Sequence, residues 1–204
     1  VLRGHIPGAR FADIMGAFSD PSAPYGFTCP TPQGIGRAAR ALGVCGDSDI
    51  VVYDTLGGAY AARLWYVLRE YGHDRVRVLN GGLAAWEAAG GPVATGPAAA
   101  VAPGDFTPGP ARGTFVGTSA VRALIGHGMS AQSPLLCALR GVQYRGDDST
   151  DPRRGHIPTS LSLPYPDLLG PDGRIEAGRV RHAPAALGLD PRVGLVPGVT
   201  PVLY

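Results

Sequence analysis

The chain has 204 residues, of which 45% are hydrophobic and 17% charged, so its composition allows a buried core and excludes a disordered protein. The formal net charge of +2 is too small to indicate nucleic acid as a main partner. No apolar run approaches the roughly 20 residues that cross a bilayer, so we expect no membrane partner.

A helix and a short strand are the first elements that the sequence predicts. Thr31 before Pro32 predicts a helix start with the threonine as N-cap, and Gly43 predicts the helix end. Apolar residues follow at helical spacing between them: Ile35, Ala38, Ala39 and Leu42. The short apolar run 50–53 then predicts a strand that is covered on both faces.

A second strand and two helices follow in the same half. After a turn at 54–58, a helix is predicted to reach about Tyr71. We expect its buried face to contain Ala62, Trp65 and Leu68. Residues 76–79 predict the next strand and residues 83–89 a short helix. Strands and helices that alternate with short connections indicate parallel βαβ units in an open sheet.

The second half is separated from the first by a segment of small residues. Residues 91–114 are rich in glycine, proline and alanine without helical or strand period, which predicts an extended connection. Beyond it, residues 118–127 predict a helix and residues 135–138 a strand. The fold class is therefore α/β, with open, mainly parallel sheets flanked by helices.

One six-residue motif occurs twice. Gly-His-Ile-Pro-Gly-Ala at 4–9 returns as Gly-His-Ile-Pro-Thr-Ser at 155–160, which is 151 positions later. The same offset relates Tyr53, at the end of one apolar run, to Tyr204, at the end of another. Two landmarks that share one offset predict two homologous units.

The offset also predicts the boundaries of these units. We expect a first unit at 1–97, a linker at 98–114 and a second unit at 115–204. The first unit has no counterpart of residues 115–151, and the second has no counterpart of the residues after Tyr53. Both units are therefore expected to be incomplete in this chain.

The three cysteines indicate the setting of the protein. Cys29, Cys45 and Cys137 lie far apart and form no Cys-x-x-Cys pair. This spacing argues against a disulfide framework and against a zinc site. We expect a reducing, cytoplasmic setting.

Four motifs carry a resemblance to a known family. They are Gly-His-Ile-Pro-Gly-Ala, Val-Val-Tyr-Asp, Ala-Ala-Arg-Leu-Trp and Leu-Asn-Gly-Gly-Leu-Ala-Ala-Trp. In this order and spacing they resemble the tandem rhodanese sulfurtransferases, which include thiosulfate and 3-mercaptopyruvate sulfurtransferases. The match is dense in residues 1–97 and looser in 115–204. The resemblance implies transfer of sulfur from a small anionic donor to a thiol or cyanide through a cysteine persulfide, without metal or organic cofactor.

The resemblance also implies where the nucleophile lies. In that family the first domain is catalytically silent and carries aspartate where the second carries the nucleophilic cysteine. Asp54 stands at this position, and the offset places the nucleophile directly after Tyr204. The chain would then hold no catalytic residue itself, and we expect it to be inactive alone. A glycine-rich loop that leads into a helix gathers N–H groups, which stabilise a thiolate and lower its pKa.

Several residues have both a catalytic and a structural interpretation. Asp54 is either a catalytic carboxylate or a cap that accepts loop N–H groups, and we favour the cap. His5 and His156 are either general bases or turn residues, and their presence in a silent unit favours the turn. Cys137 ends a strand where the family has aspartate. Because no glycine-rich loop comes after it, we interpret it as a small buried side chain rather than a nucleophile.

Three arginines are candidates for binding the sulfur donor. Arg140, Arg145 and Arg154 could hold an anion, because a guanidinium group offers paired hydrogen-bond donors. The alternative is that each is a solvated loop residue. Leu139 and Gln143 stand where thiosulfate-type members have arginine, which leaves the identity of the donor open.

The alternative function is a non-catalytic or degenerate rhodanese-like binding module. Residues 194–200 resemble a family loop of Cys-Gly-Ser-Gly-Val-Thr without its cysteine, and an alignment on them would favour this alternative. A phosphatase on the same fold would need a Cys-x5-Arg loop, which the sequence lacks.

Overall fold

The computed structural model describes residues 4–126, 134–148, 153–189 and 202–204. The chain divides into two compact units, Val1–Phe115 and Val116–Tyr204. The elements of the first unit are α1 (Pro32–Ala41), β1 (Ile50–Val52), α2 (Ala59–Glu70), β2 (Val76–Val78) and α3 (Gly82–Ala88). Those of the second are α4 (Thr118–Gly126), β3 (Leu135–Cys137), α5 (Gly141–Arg145), β4 (Leu161–Ser162), a 3-10 helix (Tyr165–Leu168), α6 (Ala177–Ala186) and β5 (Val202–Leu203).

The strands of each unit pair in parallel. β1 lies beside β2 in the first unit. In the second unit β3 lies between β4 and β5. The predicted class of mainly parallel sheets flanked by helices is confirmed. Parallel pairing brings the carboxyl ends of the strands to one edge of each sheet, where the loops after them can form a site.

α1 begins and ends where the sequence predicts. The Oγ1 of Thr31 accepts a hydrogen bond from the Gly34 N–H at 3.1 Å, which caps the first turn. Beyond the other end, Gly43 has a φ of +76°, a conformation that glycine adopts at low cost. The buried apolar residues of this helix are Ile35, Ala38 and Ala39. Capping and apolar spacing therefore agree on one helix.

The prediction for the buried face of α2 is wrong at one of its three residues. Ala62 is exposed, and its neighbour Ala61 is buried instead. Leu68 is buried as predicted, while Trp65 is half-buried. Because the helix starts at Ala59, the face that begins at Ala61 and recurs at Leu68 is the one packed in the core.

The C-terminal part of the segment predicted as a linker packs against the first unit. We call residues 104–114 the strap. Phe106 in the strap is 3% exposed and belongs to the hydrophobic core of that unit. Backbone hydrogen bonds fix it further: Gly104 N–H to Arg40 O, Phe106 N–H to Val44 O and Gly109 N–H to Tyr71 O. The strap is therefore an ordered segment of the first unit.

Two carboxylates hold the end of the strap. The buried Glu70 accepts the Gly113 N–H at 2.9 Å and the Thr114 N–H at 3.1 Å. The Asp74 carboxylate accepts hydrogen bonds from both terminal nitrogens of Arg112, at 2.7 and 2.6 Å. Because Glu70 lies in α2, the end of the strap is bound to the helix that comes after the Asp54 turn.

β3 is the buried centre of the second unit. Its three residues, Leu135, Leu136 and Cys137, are all buried. This is the continuous apolar pattern of a strand covered on both faces. The helix predicted at 118–127 is α4, which ends at Gly126, and His127 lies outside the described residues.

Within the described ranges, no helix is long and apolar enough to cross a membrane. The same ranges contain no group of three or more His, Cys, Asp or Glu side chains that could hold a metal ion.

Candidate functional site

The carboxylate of Asp54 is surrounded by backbone N–H groups. Its Oδ1 accepts from Leu56 at 2.9 Å and from Gly58 at 2.8 Å. Its Oδ2 accepts from Tyr60 at 2.8 Å and from Ala61 at 3.0 Å. Four donors thus converge on one anion at the start of α2, where the helix dipole adds to the attraction. We call residues 54–61 the Asp54 nest, and its own carboxylate acts as the cap that the sequence predicts.

Glycines allow the loop of the nest to form. Gly57 and Gly58 have φ of +73° and +92°, which glycine tolerates because it has no Cβ. Gly82 packs against the other side of Asp54: a Cβ there would lie 2.2 Å from the Asp54 carbonyl oxygen. The Leu83 N–H donates to the same oxygen at 3.1 Å. The start of α3 therefore supports the nest from behind.

The tyrosines of the two units make the same contact. The Ile6 N–H donates to the Tyr53 Oη at 2.9 Å. The Ile157 N–H donates to the Tyr204 Oη, also at 2.9 Å. The donors and the acceptors are both related by the offset of 151 that the sequence predicts. The hydroxyl at the end of each strand is therefore bound to the repeated motif.

The two copies of the motif share a backbone shape. Gly8 has a φ of +80°, and Thr159 has a φ of +71°. The N–H of the next residue, Ala9 or Ser160, donates to the carbonyl three residues earlier, at 2.9 and 3.1 Å respectively. The strand end before the Asp54 nest and the strand end at Tyr204 are thus held by the same construction.

The hydroxyl of Tyr204 has further neighbours in the second unit. The Oγ of Ser160 lies 2.6 Å from the Tyr204 Oη and 2.7 Å from the Ile157 carbonyl oxygen. Burial raises the pKa of Tyr204, and the adjacent Cys137 thiol raises it further. The phenol is therefore protonated at neutral pH and can both donate and accept.

Cys137 is enclosed by the sheet. Its side chain is 0% exposed, and its sulfur is a free thiol. Its carbonyl accepts the Leu163 N–H at 2.8 Å, and the next residue, Ala138, donates its N–H to the Tyr204 carbonyl at 2.9 Å. The prediction of a small buried side chain is confirmed, and a substrate cannot reach the sulfur in this conformation.

The three candidate arginines have different surroundings. Arg140 pairs with Asp148 at 2.9 Å, and Arg145 pairs with Asp147 at 2.8 Å. Arg154 is exposed and forms no ion pair with any described residue. An anionic donor would have to compete with a carboxylate for the first two, but not, within the described ranges, for the third.

Gln143 and Leu139 have separate surroundings. The Oε1 of Gln143 accepts the Arg140 N–H at 3.2 Å and its Nε–H at 3.1 Å, so it caps α5. Leu139 is 37% exposed. Both side chains are neutral, so neither supplies the positive charge that an arginine at these positions would offer to an anionic donor.

The two motif histidines are placed by backbone and ring contacts. His5 exchanges backbone hydrogen bonds with Ala94, each at 2.8 Å. The His156 ring stacks on the Tyr144 ring, with centroids 3.7 Å apart, and its Nδ1–H donates to the Tyr144 carbonyl at 2.8 Å. These contacts are of the structural kind that the turn interpretation expects.

One cluster was missed at the level of sequence. The Cys29 Sγ lies 3.6 Å from the Tyr71 Oη, and Arg63 lies over the Phe115 ring at 4.9 Å. Burial raises the pKa of Cys29 and lowers the pKa of Arg63. A raised thiol pKa is the opposite of what a nucleophile needs. Only Arg63 belongs to a motif, Ala-Ala-Arg-Leu-Trp, and that motif does not indicate Cys29 or Tyr71 as neighbours.

Comparisons with known proteins identify the fold and the relatives. The model of the rhodanese-like domain matches residues 2–89. The 3-mercaptopyruvate sulfurtransferase of Escherichia coli K12 is 35% identical over 175 residues, which is 82% of this chain and 59% of that protein. The thiosulfate sulfurtransferase of Mus musculus is 33% identical over 181 residues, which is 83% of this chain and 57% of that protein.

A solved structure has the same fold as this chain. The crystal structure of SseA, a 3-mercaptopyruvate sulfotransferase of Escherichia coli, has a TM-score of 0.82 and 25% identity, and the match covers 98% of this chain and 82% of that one. The chain spans about three fifths of the length of the two relatives compared by sequence. The domain match, the relatives and the shared fold agree: the chain belongs to the rhodanese family.

Proposed function

We propose that the protein containing this chain is a rhodanese-type sulfurtransferase. It would move sulfane sulfur from thiosulfate or 3-mercaptopyruvate to a thiol or cyanide through a cysteine persulfide. The named relatives are sulfurtransferases for these two donors. The nucleophile would be a cysteine directly after Tyr204.

A single observation carries the position of the nucleophile. The bond from Ile6 to Tyr53 recurs from Ile157 to Tyr204 with the same length and the predicted offset. The residue after Tyr53 is Asp54, whose carboxylate accepts four backbone N–H groups. A thiolate held in the same way would be stabilised as an anion and would be a nucleophile at neutral pH.

The same observation supports the division into two copies of one domain. We propose residues 1–97 as a catalytically silent domain and 115–204 as part of the catalytic domain. Residues 98–114 would connect them, with the strap packed on the silent domain. In the silent domain Asp54 supplies a permanent negative charge to the nest. That charge makes the loop stable without a substrate and leaves no place there for a second anion.

The chemistry balances without a cofactor. With thiosulfate, the thiolate attacks the outer sulfur, the S–S bond of the donor breaks, and sulfite leaves with the bonding electron pair. The enzyme then carries a persulfide. Cyanide attacks the terminal sulfur of that persulfide, thiocyanate leaves, and the thiolate is restored. With 3-mercaptopyruvate, the C–S bond breaks instead, and its carbon takes the electron pair and a proton to give pyruvate.

Arginines near the end of β3 would bind the anionic donor. Arg140 and Arg145 are paired with Asp148 and Asp147, whereas Arg154 is exposed and forms no ion pair with a described residue. Guanidinium groups fit the oxygens of sulfonate-like and carboxylate donors equally, so these residues do not choose between the two donors.

A reducing, cytoplasmic setting is proposed with this function. Cys29, Cys45 and Cys137 are free thiols, and neither nucleic acid nor a membrane is expected as a partner. A persulfide enzyme needs its cysteine reduced between turnovers, which such a setting provides.

The test is sulfur transfer by the full-length protein. Thiocyanate formation from cyanide should be measured with thiosulfate and with 3-mercaptopyruvate, and substitution of the cysteine after Tyr204 by serine should abolish it. The 204-residue chain itself should form no thiocyanate. Turnover by this chain that is lost in Cys137→Ser would instead make Cys137 the nucleophile. No turnover by the full-length protein with either donor would favour the alternative of a non-catalytic binding module.

A further inference from the structure

The hydroxyls of Ser160 and Tyr204 form a closed ring of hydrogen bonds with Ile157. Each hydroxyl has one proton to donate, and a carbonyl oxygen can only accept. Ser160 therefore donates to the Ile157 carbonyl at 2.7 Å, and Tyr204 must donate to the Ser160 Oγ at 2.6 Å. The Ile157 N–H donates to the Tyr204 Oη at 2.9 Å and closes the ring. Hydrogen bonds linked in this way strengthen one another.

The first unit lacks this ring although it has the same backbone. Tyr53 and Ile6 keep their bond at 2.9 Å. Ala9 stands where the second unit has Ser160 and has no hydroxyl to join the two groups. The ring is therefore found only in the unit for which catalysis is proposed.

Tyr204 is also fixed through its main chain. Its N–H donates to the Leu136 carbonyl at 3.1 Å, and its carbonyl accepts the Ala138 N–H at 2.9 Å. Ser160 is 4% exposed, so water does not compete for its bonds. Main-chain and side-chain bonds together fix the position and direction in which the next residue is attached.

We infer that Ser160 is a positioning residue for sulfur transfer, which acts through Tyr204 on the residue directly after it. The inference rests on the proposed function. A nest stabilises an anion only when its N–H groups point at the charged atom, so a small displacement of the nucleophile weakens several bonds at once. Ser160 prevents that displacement because its hydrogen bond fixes the side chain of Tyr204.

The test compares Ser160→Ala with the wild type in the full-length protein. The substitution gives the second motif the residue that the first has at Ala9. We expect kcat to fall about tenfold while KM for the donor stays within about twofold, because the groups that bind the donor are untouched. The pH midpoint for alkylation of the nucleophile by iodoacetamide should rise, because a displaced thiolate loses N–H donors.

Tyr53→Phe is the matched control. It removes the hydroxyl that accepts an isoleucine N–H in the first unit, as the Tyr204 hydroxyl does in the second. It should leave kcat and the alkylation midpoint at their wild-type values. A general loss of stability would affect both variants, so the shift of the midpoint in Ser160→Ala alone separates positioning from stability.

Two results would overturn the inference while leaving the proposed function intact. One is an active Ser160→Ala variant with unchanged kcat and midpoint, and the other is an equal fall in Tyr53→Phe. If the wild-type full-length protein transfers no sulfur, the proposed function fails and the inference fails with it.

Discussion

The strand ends at Tyr53 and Tyr204 are built alike and hold different groups. Each tyrosine hydroxyl accepts an isoleucine N–H of the repeated motif at 2.9 Å. After Tyr53 the chain places the Asp54 carboxylate among four N–H donors. Around Tyr204 the structure adds the hydroxyl of Ser160 and the thiol of Cys137. The backbone frame is shared, whereas the side chains differ: a carboxylate follows Tyr53, and a serine hydroxyl and a thiol lie beside Tyr204.

The motif loops show the same contrast on a smaller scale. Gly8 and Thr159 both have positive φ, +80° and +71°. Glycine enters this region at low cost, and a β-branched residue does not. The second unit therefore keeps a strained residue beside the serine that closes its hydrogen-bond ring. The backbone around Thr159 is held by two hydrogen bonds, from the Ile157 N–H to the Tyr204 Oη and from the Ser160 N–H to the Ile157 carbonyl.

Asp54→Ala is expected to have the largest effect on stability. It removes an anion that accepts four N–H bonds, so the free energy of unfolding of the first unit should fall by about 2 kcal/mol. Asp54→Asn should lose about half as much, because one of its two polar atoms no longer accepts. Urea unfolding and amide hydrogen exchange of the nest would measure both. Thr55→Ala, in the same loop and exposed, is the control. Unchanged protection of the nest amides in Asp54→Ala would contradict the cap.

Tyr204→Phe and Tyr53→Phe compare the two tyrosines directly. We expect Tyr204→Phe to cost about 1.5 kcal/mol and Tyr53→Phe about 1 kcal/mol, because only the first breaks a cooperative ring. Hydrogen exchange of the Ile157 and Ile6 amides would report each loss in its own unit. Equal losses would show that the ring adds nothing to the single bond.

Substitutions at the left-handed positions should act with opposite signs. Gly8→Ala should destabilise the first unit by about 1 kcal/mol, and Thr159→Gly should stabilise the second by a similar amount. A Cβ at Gly8 would meet nothing within 4 Å, so only backbone strain is involved. Thermal unfolding of both variants measures the pair. A destabilised Thr159→Gly would show that the threonine side chain contributes more than its strain costs.

Lowering the pH should have the smallest effect on stability. We expect it to loosen the contact between Arg112 and Asp74 in the first unit, which joins residues 38 positions apart. The Arg112 side chain holds the pKa of Asp74 below its ordinary value of 3.8, and the Arg174 backbone N–H does the same for Asp172. A depressed carboxyl pKa stabilises the folded state above the ordinary value, and this contribution is lost as pH falls through the folded pKa. Below about pH 3.8 the end of the strap should therefore loosen.

Hydrogen exchange of the Arg112 amide, which donates to the Glu70 carbonyl, would measure this loosening. Arg112→Gln should cause the same loss of protection at neutral pH. Arg174→Gln is the control, because its partner Asp172 lies two residues away and joins no separate segments. If the protection of the Arg112 amide, relative to its exchange rate in an unstructured peptide, does not change with pH, the part assigned to Asp74 is contradicted.

Local signals predicted most of the fold. The cap at Thr31 and the glycine at 43 define α1, and the apolar runs 50–53, 76–79 and 135–138 correspond to β1, β2 and β3. These elements depend on neighbours in sequence. The prediction for α2 failed at Ala62: Ala61, whose N–H the Asp54 carboxylate accepts, meets the core instead.

Elements that depend on distant contacts were not predicted. α5 has five residues and is joined to the motif by Tyr144, whose hydroxyl donates to the Ser160 carbonyl at 2.7 Å. α6 contains Pro184 and buries none of its side chains, so its apolar pattern is weak. The strap has the composition of a linker. Phe106, an aromatic residue among small ones, was the one signal of its burial.

The candidate site was predicted in part. An aspartate that comes after a strand and precedes a Gly-Gly turn is a recognisable cap, so the Asp54 nest could be foreseen. The change from Ala9 to Ser160 was visible as a difference between the motifs. Its consequence was not, because the ring needs a tyrosine 44 positions away from Ser160 in the chain.

The most direct test of the proposed nucleophile is to find which cysteine accepts sulfur. The full-length protein should be incubated with thiosulfate or 3-mercaptopyruvate without an acceptor, digested and analysed by peptide mass spectrometry. We predict one added sulfur atom, on a cysteine directly after Tyr204, and unmodified Cys29, Cys45 and Cys137. Added sulfur on any of these three, or on no cysteine at all, would contradict the equivalence of that position with Asp54.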